Sequence, residues 1–124
     1  ELHFSKLRDD APRIATGRVK WDYAYQQQVG VETGPADDLP GDLSRSVPHL
    51  CKRIFRALSL SGYARIDLRI SEAGRPYLLE ANPNPQLAYG EDFAEAAHHA
   101  GLPYDRMLQR ILNLGMRYRL VGQA

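Results

Sequence analysis

Apolar and polar positions change rhythm several times along the chain, and each change marks an element. From Leu2 to Leu7 they partly alternate, the period-two pattern of a half-buried strand. Arg8-Asp9-Asp10-Ala11-Pro12 interrupts this with turn residues, and Ile14, Thr16, Val19 and Trp21 resume a loose alternation over 13–21. The expectation is a first hairpin. Between Gln26 and Asp42 the apolar positions thin out, with Gly30, Gly34, Pro35, Pro40 and Gly41 set among Glu32, Asp37, Asp38 and Asp42. This predicts a flexible loop over 26–43, and a connection of that length in a compact domain is often a lid. Val47, Leu50, Cys51, Ile54, Phe55 and Leu58 then fall at i, i+3, i+4, i+7, i+8 and i+11, one apolar stripe on a helix. Ser44 or Ser46 can cap its start, Pro48 suits a first turn and Gly62 ends it.

Two strands follow, over 63–71 and 76–82, around Glu72-Ala73-Gly74-Arg75. Beyond the bend Pro83-Asn84-Pro85, helices are expected over 91–100, stopped by Gly101, and over 104–114, with Leu108, Ile111 and Leu112 on one side. Hairpins rather than crossovers place the chain in the α+β class, a mainly antiparallel sheet of two hairpins packed against about three helices.

The second hairpin concentrates the polar chemistry. A four-residue loop over 72–75 would set Asp67 opposite Glu80 and Arg65 opposite Asn82, and directly opposed residues share a face. One face then carries Arg65, Asp67, Glu80 and Asn82, with Arg69 and Leu78 nearer the turn. The other carries Ile66, Leu68, Ile70, Tyr77, Leu79 and Ala81, a core face. Opposed carboxylates repel. Either a divalent cation lies between them, or Arg65, Arg69 and a neighbouring Lys neutralise them in a solvated charge network. Two carboxylates and an amide oxygen are hard ligands suited to Mg²⁺ or Mn²⁺, and Mg²⁺ commonly completes its shell with phosphates and water.

Composition narrows the alternatives. With 124 residues the chain suits one domain or part of a larger one. Lys and Arg total 16 against 15 Asp and Glu, a net charge of +1 that offers no field for nucleic acid or an acidic membrane. No apolar run approaches the roughly 20 residues of a membrane span, and no signal-peptide pattern opens the chain, so a soluble, cytoplasmic protein is expected. A lone Cys51 excludes an internal disulfide and reads as a core thiol. Adjacent His98 and His99 cannot form an i, i+4 metal pair. Trp21, Tyr23 and Tyr25, without a basic field around them, suit core or loop anchoring better than base stacking. The chain opens at Glu1 inside an expected strand, as a piece of a longer protein would.

Gly62-Tyr63-Ala64-Arg65-Ile66-Asp67, followed by Pro76-Tyr77-Leu78-Leu79-Glu80-Ala81-Asn82, resembles the metal-binding end of ATP-grasp ligases of the D-alanine–D-alanine ligase type. So do Ala15-Thr16-Gly17-Arg18-Val19-Lys20-Trp21-Asp22 and the closing run from Phe93 to Leu102 with Tyr104, Ile111 and Leu112. The resemblance implies a ligase that activates a carboxylate with ATP to an acyl phosphate, which an amine then attacks. By position it implies that Asp67, Glu80 and Asn82 hold two Mg²⁺ (or Mn²⁺) ions, and that Arg65 stabilises the tetrahedral oxyanion. Lys20 would contact ATP phosphate, and the loop over 26–43 would close over the site. Its substrates would be ATP and an amino acid or peptide, with the N-terminal and central parts of the same protein completing the cleft. Pro83-Asn84-Pro85-Gln86-Leu87-Ala88-Tyr89 departs from the ligase pattern, lacking a glycine and hydroxyls that help bind the second substrate. Ligation of another amino acid or peptide, or a non-catalytic binding module, are the alternatives.

Overall fold

A computed structural model describes residues 1–11, 13–36, 39 and 41–118. The chain divides into two compact units, 1–37 and 38–124.

In the first unit, β1 (Leu2–Phe4) pairs antiparallel with β2 (Val31–Thr33), Phe4 opposite Val31. Between them lie two short helices, α1 (Gly17–Trp21) and α2 (Tyr23–Val29). The expected first hairpin is therefore wrong: the partner of β1 comes from the segment read as loop, and 17–21 is helical. Local capping explains the helices. The Thr16 side chain accepts from the Val19 N–H at 3.3 Å and Asp22 from the Tyr25 N–H at 3.0 Å, each satisfying an orphan donor of a first turn. Gln26 reaches back to the Val19 carbonyl at 2.8 Å. Gly30, at φ 61°, ends α2 in the left-handed region, and its carbonyl accepts from the Ser5 N–H at 2.9 Å, which extends the β1–β2 ladder. The flexible-loop expectation over 26–43 fails for 26–29, 31–33 and Leu43, which are structured; its Asp37, Asp38 and Pro40 lie outside the described residues.

The second unit opens with α3 (Leu43–Ala57). It starts earlier than expected, at Asp42, so Ser44 and Ser46 lie inside it rather than capping it, and Pro48 sits past the first turn. It ends before Gly62: Ser59 takes φ 51°, and the Ser59 and Leu60 N–H groups bond the Arg56 and Phe55 carbonyls, a Schellman closure built on a serine. Next come β3 (Arg65–Ile70) and β4 (Pro76–Asn82), an antiparallel pair, then α4 (Asp92–His99) and α5 (Tyr104–Met116). Buried Ala94 on α4 and Met107 on α5 mark the core positions of these two helices. Tyr63, entering β3, stacks obliquely on Phe93 of α4 at 5.7 Å. The α+β class stands, with five helices and two two-stranded sheets among the described residues. Cys51 is half-buried in α3. Trp21 and Tyr23 are exposed rather than anchored, at 86% and 74%, whereas Tyr25 is covered by the Arg18 guanidinium 4.1 Å from its ring centre.

Candidate functional site

The β3–β4 hairpin turns through three residues, not four. The Gly74 N–H bonds the Ser71 carbonyl, the Ser71 N–H bonds the Arg75 carbonyl, and Gly74 sits at φ 71°, the arrangement of a type I turn closed by a left-handed glycine. Ile70 therefore faces Pro76, Arg69 faces Tyr77 and Leu68 faces Leu78. An irregularity between Asp67 and Leu68 then leaves Leu79 without a partner, a bulge that restores the other register. Past it, Asp67 faces Glu80, Ile66 faces Ala81 and Arg65 faces Asn82. The short turn and the bulge cancel, so the four polar residues meet as the alternation predicts. Near the turn the face assignments reverse: Tyr77 shares a face with Arg69, Leu78 with Leu68, and bulged Leu79 is 68% exposed rather than part of a core face.

On the polar face Arg65 grips Asp67 with both arms of its fork, Nε to Oδ1 at 2.8 Å and Nη2 to Oδ2 at 2.9 Å. Both side chains are about one third exposed, so these charge-assisted bonds are only partly screened. The hydrogen bonds to Asp67 hold the Arg65 guanidinium protonated beyond its ordinary range, against the opposing cost of burial; the charges of Asp67, Glu80 and Asp92 add to the effect. Glu80 is exposed and has no ion pair among the described residues. Asn82 turns its Oδ1 onto the Asn84 N–H at 2.9 Å, an Asx turn that fixes the amide where the strand ends and the Pro-rich bend begins.

The charge-network explanation accounts for one of the opposed carboxylates: Arg65 pairs with Asp67, while Glu80 opposite it faces solvent. The donor set suits a hard cation: two carboxylates with spare lone pairs, and an amide oxygen already oriented by one hydrogen bond. Among the described residues no group of three His, Cys, Asp or Glu side chains is placed to hold a metal ion, so a cation at the hairpin would draw its other donors from the Asn82 amide, phosphate or water. Asp92, whose charge reaches Arg65, was not among the expected site residues. Lys20 belongs to the other unit, exposed on α1 rather than on a strand.

Residues 13–113 match the family described as D-ala D-ala ligase C-terminus. A D-alanine–D-alanine ligase of Nitrosococcus oceani is 38% identical over 113 residues, covering 87% of this chain and 34% of the relative. One from Oleidesulfovibrio alaskensis is 34% identical over 98 residues, 77% of this chain and 32% of the relative. D-alanine–D-alanine ligase B of Clostridium perfringens is 29% identical over 102 residues, 79% of this chain and 33% of the relative. The chain thus spans about a third of the length of these relatives. The matched span runs from before α1 into α5 and includes the whole polar hairpin, and on that ground the chain belongs to the D-alanine–D-alanine ligase C-terminal family, with its ATP-grasp fold.

Proposed function

We propose that this chain is the metal- and phosphate-binding part of an ATP- and Mg²⁺-dependent carboxylate–amine ligase resembling D-alanine–D-alanine ligase. The observation that carries the proposal is the Arg65–Asp67 fork facing Glu80, with Asn82 oriented beside it, inside a span that matches the ligase family. Phosphoryl transfer from ATP to a carboxylate gathers negative charge on oxygens, and catalysis is largely positioning and charge neutralisation. When bound, two Mg²⁺ (or Mn²⁺) ions would offset charge on the phosphate oxygens; Asp67, Glu80 and Asn82 are the residues that would hold them. Arg65 presents a permanently charged fork that would take the oxyanion formed when an amine attacks the acyl phosphate. Its present bond to Asp67 keeps it oriented and its charge matched until an anion competes for it. Lys20 would contact phosphate, an assignment resting on the family resemblance alone.

The chain would be the C-terminal part of a longer, cytoplasmic enzyme whose N-terminal and central parts complete the nucleotide cleft. No described helix is long and apolar enough to cross a membrane. The residues of 83–89, without the glycine and hydroxyls of the ligase pattern, favour an acceptor other than D-alanine. Phosphate release from ATP, measured on the full-length protein against a panel of amino-acid and peptide pairs, tests this. Turnover that requires Mg²⁺, and is lost in Glu80→Gln, supports a ligase; D-alanine alone as substrate would restore the dipeptide reaction. No turnover with any pair would leave a non-catalytic binding module.

A further inference from the structure

Away from the hairpin, a small cavity of about 120 Å³ opens between the loop after β4 and the seam of α4 and α5. Tyr89, Tyr104, Glu95 and His98 line it and buried Ala94 is also in its wall. The two tyrosine rings meet edge to face, 5.3 Å between centres and 87° between planes. In such a pair the positive edge of one ring meets the negative face of the other, and the ring faces left uncovered carry a quadrupole that attracts a cation. Glu95 adds a full negative charge to the same space. Along the chain Glu91 and Asp92 precede the lining residues of α4, and on α5 Asp105 is paired with Arg106 at 3.9 Å. The volume is well short of the roughly 300 Å³ at which small-molecule pockets begin, so the cavity suits a single head group rather than a nucleotide.

We infer that this corner binds an organic cation, the ammonium or guanidinium group of a small amine or of a basic side chain. Aromatic walls alone would take any apolar group, and a carboxylate alone would take any cation. Together they select a soft cation on a carbon stem, because the rings exchange weak water contacts for cation–π contacts while Glu95 balances the charge. Tyr89 is 79% exposed, so one wall is open to an entering group. None of these residues belongs to the polar hairpin, although Tyr89 also ends the 83–89 stretch on which the acceptor reading rests, so the test below reads cation binding and not turnover.

The test is an NMR titration of the chain, with carbon-labelled tyrosine rings, at pH 8 and low salt. The probes are n-butylammonium chloride, n-butanol as a neutral molecule of the same length, and acetyl-Gly-Lys-Gly-amide. The Tyr89 and Tyr104 ring signals are expected to shift saturably with n-butylammonium, and n-butanol to bind several-fold more weakly. Glu95→Gln should weaken n-butylammonium by about three- to fivefold, and Tyr89→Phe should keep the response of Tyr104. A comparable shift with the tripeptide assigns the site to lysine side chains of polypeptides; a shift with n-butylammonium alone assigns it to free amines. Equal binding of n-butanol, no saturable shift with either cation, or an unchanged affinity in a Glu95→Gln chain with an intact amide fingerprint overturns the inference.

Discussion

Replacing Arg65 by methionine keeps most of the aliphatic length but removes the fork from Asp67. Three effects set the cost. Two charge-assisted bonds of 2.8 and 2.9 Å are lost. The pair is about one third exposed, so it ranks above the ~0.2–1 kcal/mol of a fully exposed pair and below the ~3–5 kcal/mol of breaking a buried one; about 1–2 kcal/mol is expected. Asp67 then faces Glu80 without its Arg65 partner, adding roughly 0.2–1 kcal/mol of cross-strand repulsion. Arg65→Met alone should therefore cost about 2 kcal/mol, which moves a urea midpoint down by roughly 1 M for a chain of this size. Asp67→Asn in the same background should recover part of the loss, because the neutral amide no longer opposes Glu80. A double-mutant cycle by urea unfolding isolates the pair, and its coupling should be about 1–2 kcal/mol at low salt, shrinking as screening increases. A coupling below about 0.3 kcal/mol, within the error of such cycles, would show that the fork contributes nothing. An Asp67→Asn chain more stable than the parent would show that repulsion from Glu80 outweighs it, and either result refutes the balance described for this face.

Other regions make independent predictions. Deleting Leu79 removes the bulge without altering any pair on either side of it, so cross-strand contacts between Asp67 and Glu80 should persist in NOE spectra; a slip by one residue would contradict the register. Gly30→Ala puts a Cβ at φ 61° against the Ser5 hydroxyl, and should cost about 1–2 kcal/mol, read as faster amide exchange in β1 and β2. Asn82→Ala removes the bond to the Asn84 N–H and should cost about 1 kcal/mol, whereas Asn82→Asp keeps an acceptor and should cost less in the same unfolding assay. Burial pushes the Cys51 thiol above its ordinary 9.0. Above that value the unfolded chain ionises first, so stability should fall as pH rises from about 9.0 through the folded-state value, and Cys51→Ala should flatten that decline in pH-dependent melts.

Period-two alternation over 65–70 and 76–82 was enough to bring Arg65, Asp67, Glu80 and Asn82 together, even though the turn length behind that pairing was one residue too long. The error cancelled because Leu79 bulges, and no single-sequence pattern announces a bulge whose residue is simply another leucine. The α3 stripe and the two closing helices were legible for the same reason, a sustained period of 3.6. The N-terminal unit was not. Its strands are three residues each, too short for a periodic signal, and β1 finds its partner some 30 residues away rather than across the nearest turn. Thr16 and Asp22, each followed three residues later by the N–H it caps, carried a helix signal that the loose alternation of Ile14, Val19 and Trp21 concealed. Asp92 escaped notice because its influence on Arg65 crosses from α4 to β3, a distance in sequence that no motif spans.

The most direct test of the metal-binding face is Mn²⁺-induced broadening of backbone amides in this chain, with and without ATP, compared between the parent and the Asp67→Asn, Glu80→Gln double variant. Broadening centred on residues 65–67 and 80–82, strengthened by ATP and abolished in the variant, is the expected result. Broadening that is equal in the variant, or spread evenly over the acidic surface with no focus at the hairpin, would contradict a divalent-cation site there and leave the Arg65–Asp67 fork as a charge network only.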